Sequence, residues 1–228
     1  RKKEEVIDVL NAAITAGEQD IVLAFIACVR ASLLNKKGSD GYTPLHTAVS
    51  HNRVDLISAI KDSRASLDAL DNVGFTPLIY AILSVKKNAA RALITAGANV
   101  NKGDDAGNRP LHMAAAEEGQ EDIIRELANA GANPNAENKP LRRTPLHEAA
   151  KVGEEGAISA LLDIGADINK LDGEGNSPLH RAAKAGQTGA VRVLLARGAI
   201  KTGNNKDGKT PLQLAGENNH TETADALR

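Results

Sequence analysis

The sequence predicts an all-α fold in which short helix-turn-helix units stack on one another as repeats. A tetrapeptide of the form Thr-Pro-Leu-His occurs six times, at intervals of 33, 33, 35, 33 and 33 residues. A second motif, Gly-Ala-Asn/Asp-x-Asn, recurs in the same phase. Only four residues are aromatic and none is tryptophan, which is few for one conventional core. The tetrapeptides begin at Thr43, Thr76, Arg109, Thr144, Ser177 and Thr210, and the second motif begins at Gly97, Gly131 and Gly165, with weaker copies at Arg64 and Gly198.

The tetrapeptide predicts the first helix of each repeat. Threonine is a favourable N-cap, and proline suits the first helical position because its missing N–H is not needed there. A glycine follows about two turns later and ends the helix in the left-handed conformation. These glycines are Gly119, Gly153 and Gly186. Repeats two and three have Asn52 and Val85 instead, so we expect normal stacking there with slightly strained turns.

A second helix and a polar tip complete each repeat. Apolar residues fall at helical spacing, as in Ile158, Leu161 and Leu162. The Gly-Ala-Asp-Ile-Asn type of segment ends this helix and leads into a polar turn such as residues 172–175, which predicts a β-turn or hairpin tip. One repeat is therefore a turn, a helix, a turn and a second helix.

The two motifs in phase resemble the ankyrin repeat family, whose unit is about 33 residues with a Thr-Pro-Leu-His-x-Ala core. The resemblance implies a single ankyrin-repeat domain over residues 1–228, folded as a solenoid of about seven repeats. The first repeat lacks the Thr-Pro start and the last has a polar second helix (Glu222, Thr223 and Asp225), so we expect both to act as caps. Extra residues within 114–118 and 137–143 predict a local bulge between repeats four and five. The approximate repeats are 4–37, 38–70, 71–103, 104–138, 139–171, 172–204 and 205–228.

Composition and charge exclude several classes of protein. The 28 basic and 29 acidic side chains give a net charge of −1, so nucleic acid is an unlikely partner. The longest apolar run, residues 21–29, is shorter than the roughly 20 residues that a membrane span requires. The only cysteine, Cys28, cannot form an intrachain disulfide, and we expect it to be buried as a small hydrophobic residue. Because the chain opens with Arg1, localisation stays unassigned: cytoplasmic by default, with a secreted or periplasmic location also open.

The histidines and acidic residues do not form a recognisable catalytic or metal site. His46, His112, His147 and His180 occupy one repeat position each, so we expect them to bridge backbone groups of neighbouring turns. No nucleophile elbow, phosphate loop, zinc-protease helix or dinucleotide motif occurs. The carboxylates within residues 117–122 are interpreted as a solvated helix face. The sequence thus predicts a protein that is not an enzyme and that has no cofactor and no metal.

The resemblance implies that a partner binds the concave face through positions that the repeat does not constrain. An apolar patch is predicted at Tyr42, Phe75, Tyr80, Leu83 and Met113, because aromatic residues and methionine are enriched in binding hot spots. Further along the chain, a basic strip is predicted beside the acidic Glu117 and Glu118, and it consists of Arg142, Arg143, Lys151, Arg181 and Lys184. The alternatives are packing between repeats for the patch and a solvated face for the strip. The complete set of predicted partner-binding residues is Tyr42, His51, Val73, Phe75, Tyr80, Leu83, Asn108, Met113, Glu117, Arg142, Arg143, Glu148, Lys151, Arg181 and Lys184.

The functional prediction is a non-enzymatic protein-protein interaction module, expected to be a monomer when unbound. It would act either as an adaptor that binds a peptide tail or as an inhibitor that caps a folded enzyme. A partner with an apolar anchor and an acidic extension would fit the predicted surface. The alternative is a regulatory or targeting ankyrin domain of a larger enzyme or bacterial effector.

Overall fold

The computed structural model describes residues 2–228, with side chains from Glu4 onward, and this part of the chain is helical without any β-strand. The backbone divides into two compact units between Asp105 and Ala106. The division lies within two residues of the predicted border between the third and fourth repeats. The all-α prediction is confirmed, and the repeats alternate first and second helices as expected.

Unit 1 contains the first three repeats. The first helices α1, α4 and α6 pack side by side in one row, and the second helices α2, α5 and α7 form a second row against them. The short helix α3 contacts α1. The helices are α1 (Lys2–Ala16), α2 (Gln19–Cys28), α3 (Ala31–Leu34), α4 (Pro44–Ser50), α5 (Val54–Asp62), α6 (Pro77–Leu83) and α7 (Lys87–Ala96).

Unit 2 repeats the same two-row arrangement over four repeats. Its first helices α8, α10, α12 and α14 are neighbours in sequence order, as are the second helices α9, α11, α13 and α15. The helices are α8 (Pro110–Ala116), α9 (Glu121–Asn129), α10 (Pro145–Val152), α11 (Glu155–Asp163), α12 (Pro178–Lys184), α13 (Thr188–Ala196), α14 (Pro211–Glu217) and α15 (Thr221–Leu227).

The Thr-Pro motif starts the first helices as predicted. The Thr43 and Thr76 side chains each accept a hydrogen bond from the backbone N–H three residues later, and proline follows at the first helical position. Small residues then allow close packing of the helices: Ala149 and Ala150 in α10 are completely buried. Local capping therefore sets where each first helix begins, and the alanines set how closely its neighbours approach.

The turns between the two helices adopt the left-handed conformation. Gly119, Gly153 and Gly186 have φ values of 70°, 91° and 72°. Asn52 and Val85 take the same conformation, with φ values of 54° and 53°, although neither is glycine. The prediction of strained turns in repeats two and three is thus confirmed, and the strain is greater at Val85 because its side chain is β-branched.

The two predicted insertions also appear. The turn between α8 and α9 has four residues, 117–120, where the turn between α4 and α5 has three, 51–53. In the following tip, the Asn138 N–H donates to the Arg143 carbonyl at 2.9 Å, five residues away, whereas Asp71 and Phe75 make the corresponding 3.0 Å bond four residues apart. Arg142 occupies the usual glycine position of the tip with a φ of 53°.

The prediction that Cys28 is buried is wrong. Cys28 is the last residue of α2 and is exposed. The apolar run in this helix extends around its circumference, and only Val22 and Ile26 are buried. A continuous apolar run does not identify which side of a helix faces the core, so sequence alone misplaced this residue.

Candidate functional site

The aromatic residues of unit 1 form a compact cluster. Tyr42 precedes the N-cap of α4, and Tyr80 lies within α6. Their rings are 5.3 Å apart at an interplanar angle of 62°, in an edge-to-face arrangement. The His46 ring lies 6.0 Å from the Tyr42 ring and 5.9 Å from the Tyr80 ring. Edge-to-face aromatic pairs stabilise one another beyond their burial, so the two tyrosines hold each other in place.

Polar contacts fix the position of Tyr42. Its backbone N–H donates to the Asp40 carboxylate at 2.9 Å, and Asn11 Nδ2 donates to its carbonyl oxygen at 3.4 Å. A hydrogen bond with the Tyr80 side chain is the main cause that raises the pKa of the Tyr42 hydroxyl, and burial and the negative charges of Asp71 and Asp40 raise it further. Tyr42 is therefore neutral at physiological pH and is held in place by contacts with Asn11, Asp40 and Tyr80.

The other predicted residues of unit 1 lie at the same tips and first helices. Leu83 follows Tyr80 by three residues in α6, a spacing that places both on one helix face. Phe75 and Leu83 are half-buried, as are both tyrosines, while His51 is exposed and Val73 is 68% exposed. We call Tyr42, Val73, Phe75, Tyr80 and Leu83 the aromatic surface. The rings therefore pack between repeats two and three and also keep part of their area in contact with solvent.

The repeated histidines act as the predicted bridges. Each side chain reaches a backbone carbonyl of the next tip, with Nε2–O distances of 3.0 to 3.2 Å. Because a carbonyl oxygen can only accept, Nε2 carries the proton and donates. Burial lowers the pKa of all four imidazoles, and that of His147 falls to about 4. The bonds join His46 to Phe75, His112 to Arg143, His147 to Asn176 and His180 to Lys209.

Two arginines of the predicted basic strip belong to an internal charge network of unit 2. Arg181 is buried, and its Nε donates to the fully buried Asp172 carboxylate at 2.7 Å while its Nη2 donates to Glu174 at 2.9 Å. Arg143 is 13% exposed and lies 3.7 Å from Glu148 and 4.0 Å from Asp172. The structure thus places Arg181 away from solvent and holds Arg143 beside two carboxylates.

The remaining predicted residues of unit 2 differ in exposure. Lys151 and Lys184 are exposed near the C-terminal ends of α10 and α12, and Arg142 is exposed with its Nε 2.7 Å from the Glu137 carboxylate. Asn108, Met113, Glu117 and Glu148 are half-buried. Glu154 lies near Glu117, Glu118 and Glu121. Burial is the main cause that raises the pKa of Glu154, and the negative charges of these three neighbours raise it further.

Sequence reasoning missed two buried carboxylates that shape the tips. Asp71 Oδ1 accepts from the Val73 and Phe75 N–H groups, both at 2.9 Å. Asp172 Oδ1 accepts in the same way from residues 174 and 176. The recurrence of Asp71, Asp172 and Asn205 at the first tip position is the signal that would have identified them.

Within the described part of the chain, no group of three or more histidine, cysteine, aspartate or glutamate side chains has a geometry suited to a metal ion. None of the described helices has the length and apolar character of a membrane span. What the site offers chemically is contact area, hydrogen-bonding groups and charge.

A family model described as ankyrin repeats, three copies, matches residues 9–104, 84–172 and 146–228. The chain belongs to the ankyrin repeat family. Ankyrin repeats are a non-catalytic fold that mediates protein-protein interaction. The matches span almost all of the chain, in agreement with about seven repeats.

Similar ankyrin segments occur in much longer proteins. The chain is 34% identical over 122 residues to the tyrosine-protein kinase Shark of Drosophila melanogaster, covering 53% of this chain and 13% of the kinase. It is 32% identical over 97 residues to the E3 ubiquitin-protein ligase KEG of Arabidopsis thaliana, covering 42% of this chain and 6% of the ligase. It is 40% identical over 83 residues to human neurogenic locus notch homolog protein 1, covering 36% of this chain and 3% of that protein. The ankyrin chain therefore corresponds to a small part of each of these relatives.

Proposed function

We propose that this ankyrin chain binds another protein through the tips and first helices of repeats two and three, with the aromatic surface as the anchor. The observation that carries the proposal is the packed Tyr42–Tyr80 pair, which is ordered by Asp40 and Asn11 but only half-buried. The concave-face prediction from sequence places the partner on this same side of the repeats.

The physical argument for binding here is that the aromatic side chains are already ordered before a partner binds. Three of the four aromatic residues of the chain, Tyr42, Phe75 and Tyr80, lie in this surface. Aromatic side chains provide a large contact area with few rotatable bonds, so binding costs little conformational entropy when they are already held in place. A partner that covers them gains apolar burial at about 25 cal/mol per Å².

Charge in unit 2 supports the chemistry proposed for the rest of the partner. Lys151 and Lys184 are exposed cations on neighbouring first helices. We propose that the partner carries acidic residues in addition to its apolar anchor, since exposed lysines of this kind attract carboxylates. Two modes fit this description: an adaptor that holds a peptide tail, and an inhibitor that caps a folded enzyme. An isolated segment of the partner should keep most of the affinity in the first mode and lose it in the second.

The test compares the unchanged chain with two variants as baits for affinity capture from the native source. One variant is Tyr80→Ala, Leu83→Ala in the aromatic surface. The matched control is Val54→Ala, Thr95→Ala on the second helices of the same unit. Circular dichroism and thermal melts show whether each bait is folded.

A partner identified by mass spectrometry is then purified and its affinity measured with each bait. We expect the aromatic variant to bind at least about tenfold more weakly, which corresponds to the loss of one hot spot, and the control to bind normally. Normal binding by the aromatic variant, with loss in the control, would place the interface on the second helices and refute the proposal. Assaying the partner's own activity with and without the chain separates an inhibitor from an adaptor.

We also propose, as a second function, that the chain is a targeting or regulatory segment of a larger protein. Similar segments make up 13% of the Shark kinase and 6% of the KEG ligase, whose names denote enzymes. The intact mass of the protein from its native source tests this idea. A native product with no more than these 228 residues would rule it out.

A further inference from the structure

The N-terminal end of unit 1 exposes a continuous apolar surface. Val9 is 71% exposed, Ile21 is 63% exposed and Val6 is 37% exposed. Phe25 is half-buried beside them and lines, with Glu5, Val6 and Val9, an open hollow of about 510 Å³. We call Val6, Val9, Ile21 and Phe25 the N-terminal face. Contiguous exposed apolar side chains of this kind mark surfaces that another structure covers.

The turn after α1 gives the register of the first repeat relative to the second. The Gly17 N–H donates to the Ile14 carbonyl and the Glu18 N–H to the Ala13 carbonyl. Asn52 and Arg53 make the same two bonds to Val49 and Ala48, 35 residues further along. Val9 therefore corresponds to Pro44, Ile21 to Leu56 and Phe25 to Ile60.

The equivalents of these residues are buried wherever another repeat of the same unit precedes them. The equivalents of Val9 in these repeats are all prolines, and each of them is buried. At the Ile21 position the exposed fraction is at most 2%, and at the Phe25 position at most 3%. The equivalents are Pro44, Pro77, Pro145, Pro178 and Pro211 for Val9; Leu56, Ala89, Ala157, Ala190 and Thr223 for Ile21; and Ile60, Leu93, Leu161, Leu194 and Leu227 for Phe25.

The preceding repeat explains this burial. In unit 1, α4 packs against α1 and α5 packs against α2, so the first repeat covers the second repeat on the side of these positions. The first repeat has the same apolar positions, but no described residue plays the covering role for it. Its N-terminal face thus has the composition and register of an internal stacking surface and is continuous with the repeat-to-repeat interface of unit 1.

The last repeat has the opposite character. Gln213 and Gly216 are exposed there, at the positions of the buried His180 and Ala183 of the repeat before. The final repeat therefore presents an amide and a glycine where a covered repeat presents an imidazole and an alanine. The C-terminal side of a second copy would be a poor occupant of the N-terminal face.

We propose that a further helical repeat of the same polypeptide, lying before residue 1, packs on the N-terminal face. Continuity with the stacking interface identifies the occupant as a helix pair in repeat register. The first repeat is then an internal repeat of a longer array. This proposal does not rest on the partner-binding function, because the aromatic surface lies on different residues.

The test compares the 228-residue chain with the protein expressed from its native gene, by mass spectrometry and by amide hydrogen exchange of α1 and α2. The variant Val9→Lys, Ile21→Lys changes the two most exposed residues of the face. The matched control is Ile200→Lys, since Ile200 is 56% exposed and far along the sequence in unit 2.

We expect the double variant to leave exchange in the 228-residue chain unchanged, because both side chains face solvent. In the native protein we expect α1 and α2 to exchange about tenfold more slowly than in the 228-residue chain, and the double variant to abolish that protection. The control substitution should leave amide exchange of α1 and α2 unchanged in both the 228-residue chain and the native protein.

Three results would overturn the proposal. The first is a native protein that begins within a few residues of residue 1. The second is equal exchange of α1 and α2 in a longer native protein and in the 228-residue chain. The third is protection that rises with the concentration of the 228-residue chain, which would identify a second copy as the occupant. A failure of the partner-capture experiment would not affect any of these measurements.

Discussion

Replacing Val85 by glycine should stabilise the protein, although it removes an apolar side chain. Val85 lies two residues after α6, in the turn between the two helices of repeat three, with a φ of 53°, and Gly153 and Gly186 occupy the same turn in other repeats. For a β-branched residue the left-handed conformation places the side chain against the following backbone. The turn itself is well formed, because the Lys86 N–H donates to the Ala81 carbonyl at 2.8 Å.

The magnitude follows from three opposing effects. A non-glycine residue in the left-handed region costs about 1–3 kcal/mol, and valine belongs in the upper half of that range. Glycine loses about 0.5–1 kcal/mol through the greater entropy of the unfolded chain. Val85 is 53% exposed, so its removal sacrifices less than about 1 kcal/mol of burial. These effects leave a net gain of about 1 kcal/mol in the free energy of unfolding.

Two matched variants isolate the backbone effect. Asn52→Gly changes a turn with a φ of 54°, but asparagine tolerates this conformation, so we expect little gain. Val152→Gly removes a 40% exposed valine from the last position of α10, where the backbone is right-handed, and should destabilise by about 1–2 kcal/mol, because lost burial adds to the glycine entropy. Urea titrations at constant temperature followed by circular dichroism measure all three changes. If Val85→Gly were as destabilising as Val152→Gly, strain at residue 85 would be refuted.

Three further expectations concern buried groups of repeats five and six. Ala149→Leu should destabilise by about 1–3 kcal/mol and can split urea unfolding into two steps, because Ala149 is fully buried between helices; a single unshifted transition would contradict this. Burial lowers the pKa of His147 to about 4, below about 6.5 in the unfolded chain, so its stabilisation is complete above pH 6.5 and is lost as the pH falls toward 4. Thermal melts at pH 4 to 7 should show that the stability of His147→Gln depends less on pH than that of the unchanged chain. The same pH dependence in both would show that His147 does not cause the loss of stability. Arg181→Ala should cost about 3–5 kcal/mol in chemical unfolding, because it leaves the buried Asp172 carboxylate without its main partner; a loss below about 1 kcal/mol would mean that water replaces the guanidinium.

The repeat length, the number of repeats and the starts of the first helices could be predicted from the sequence. These features depend on local chemistry that recurs: a threonine cap at Thr43 or Thr76, a proline after it, and a glycine such as Gly153 that ends the helix. The histidine bridges were predictable for the same reason, since His147 occupies one fixed place in a repeating unit. Even the strain at Val85 could be predicted, because a missing glycine at a position that requires positive φ is visible in the sequence.

Which side chains remain available to a partner could not be predicted in this way. Arg181 and Lys184 are three residues apart and have the same charge, yet Arg181 is buried against Asp172 while Lys184 is exposed. Cys28 lies in a strongly apolar run and is nevertheless exposed. Both outcomes depend on which neighbouring repeat covers the position, and that is a property of packing.

Sequence alone therefore determined the repeat length and the N-caps of the first helices, because both follow from interactions between residues a few positions apart. The recurrence of these local motifs also identified the family. Tertiary structure alone decided that Tyr42 and Tyr80, 38 residues apart, form one half-exposed aromatic pair, and that the apolar residues Val9 and Ile21 have no described neighbour over them. The physical reason is that burial in a stacked array is set by the adjacent repeat. Identical positions can therefore form the core in one repeat and the surface in another.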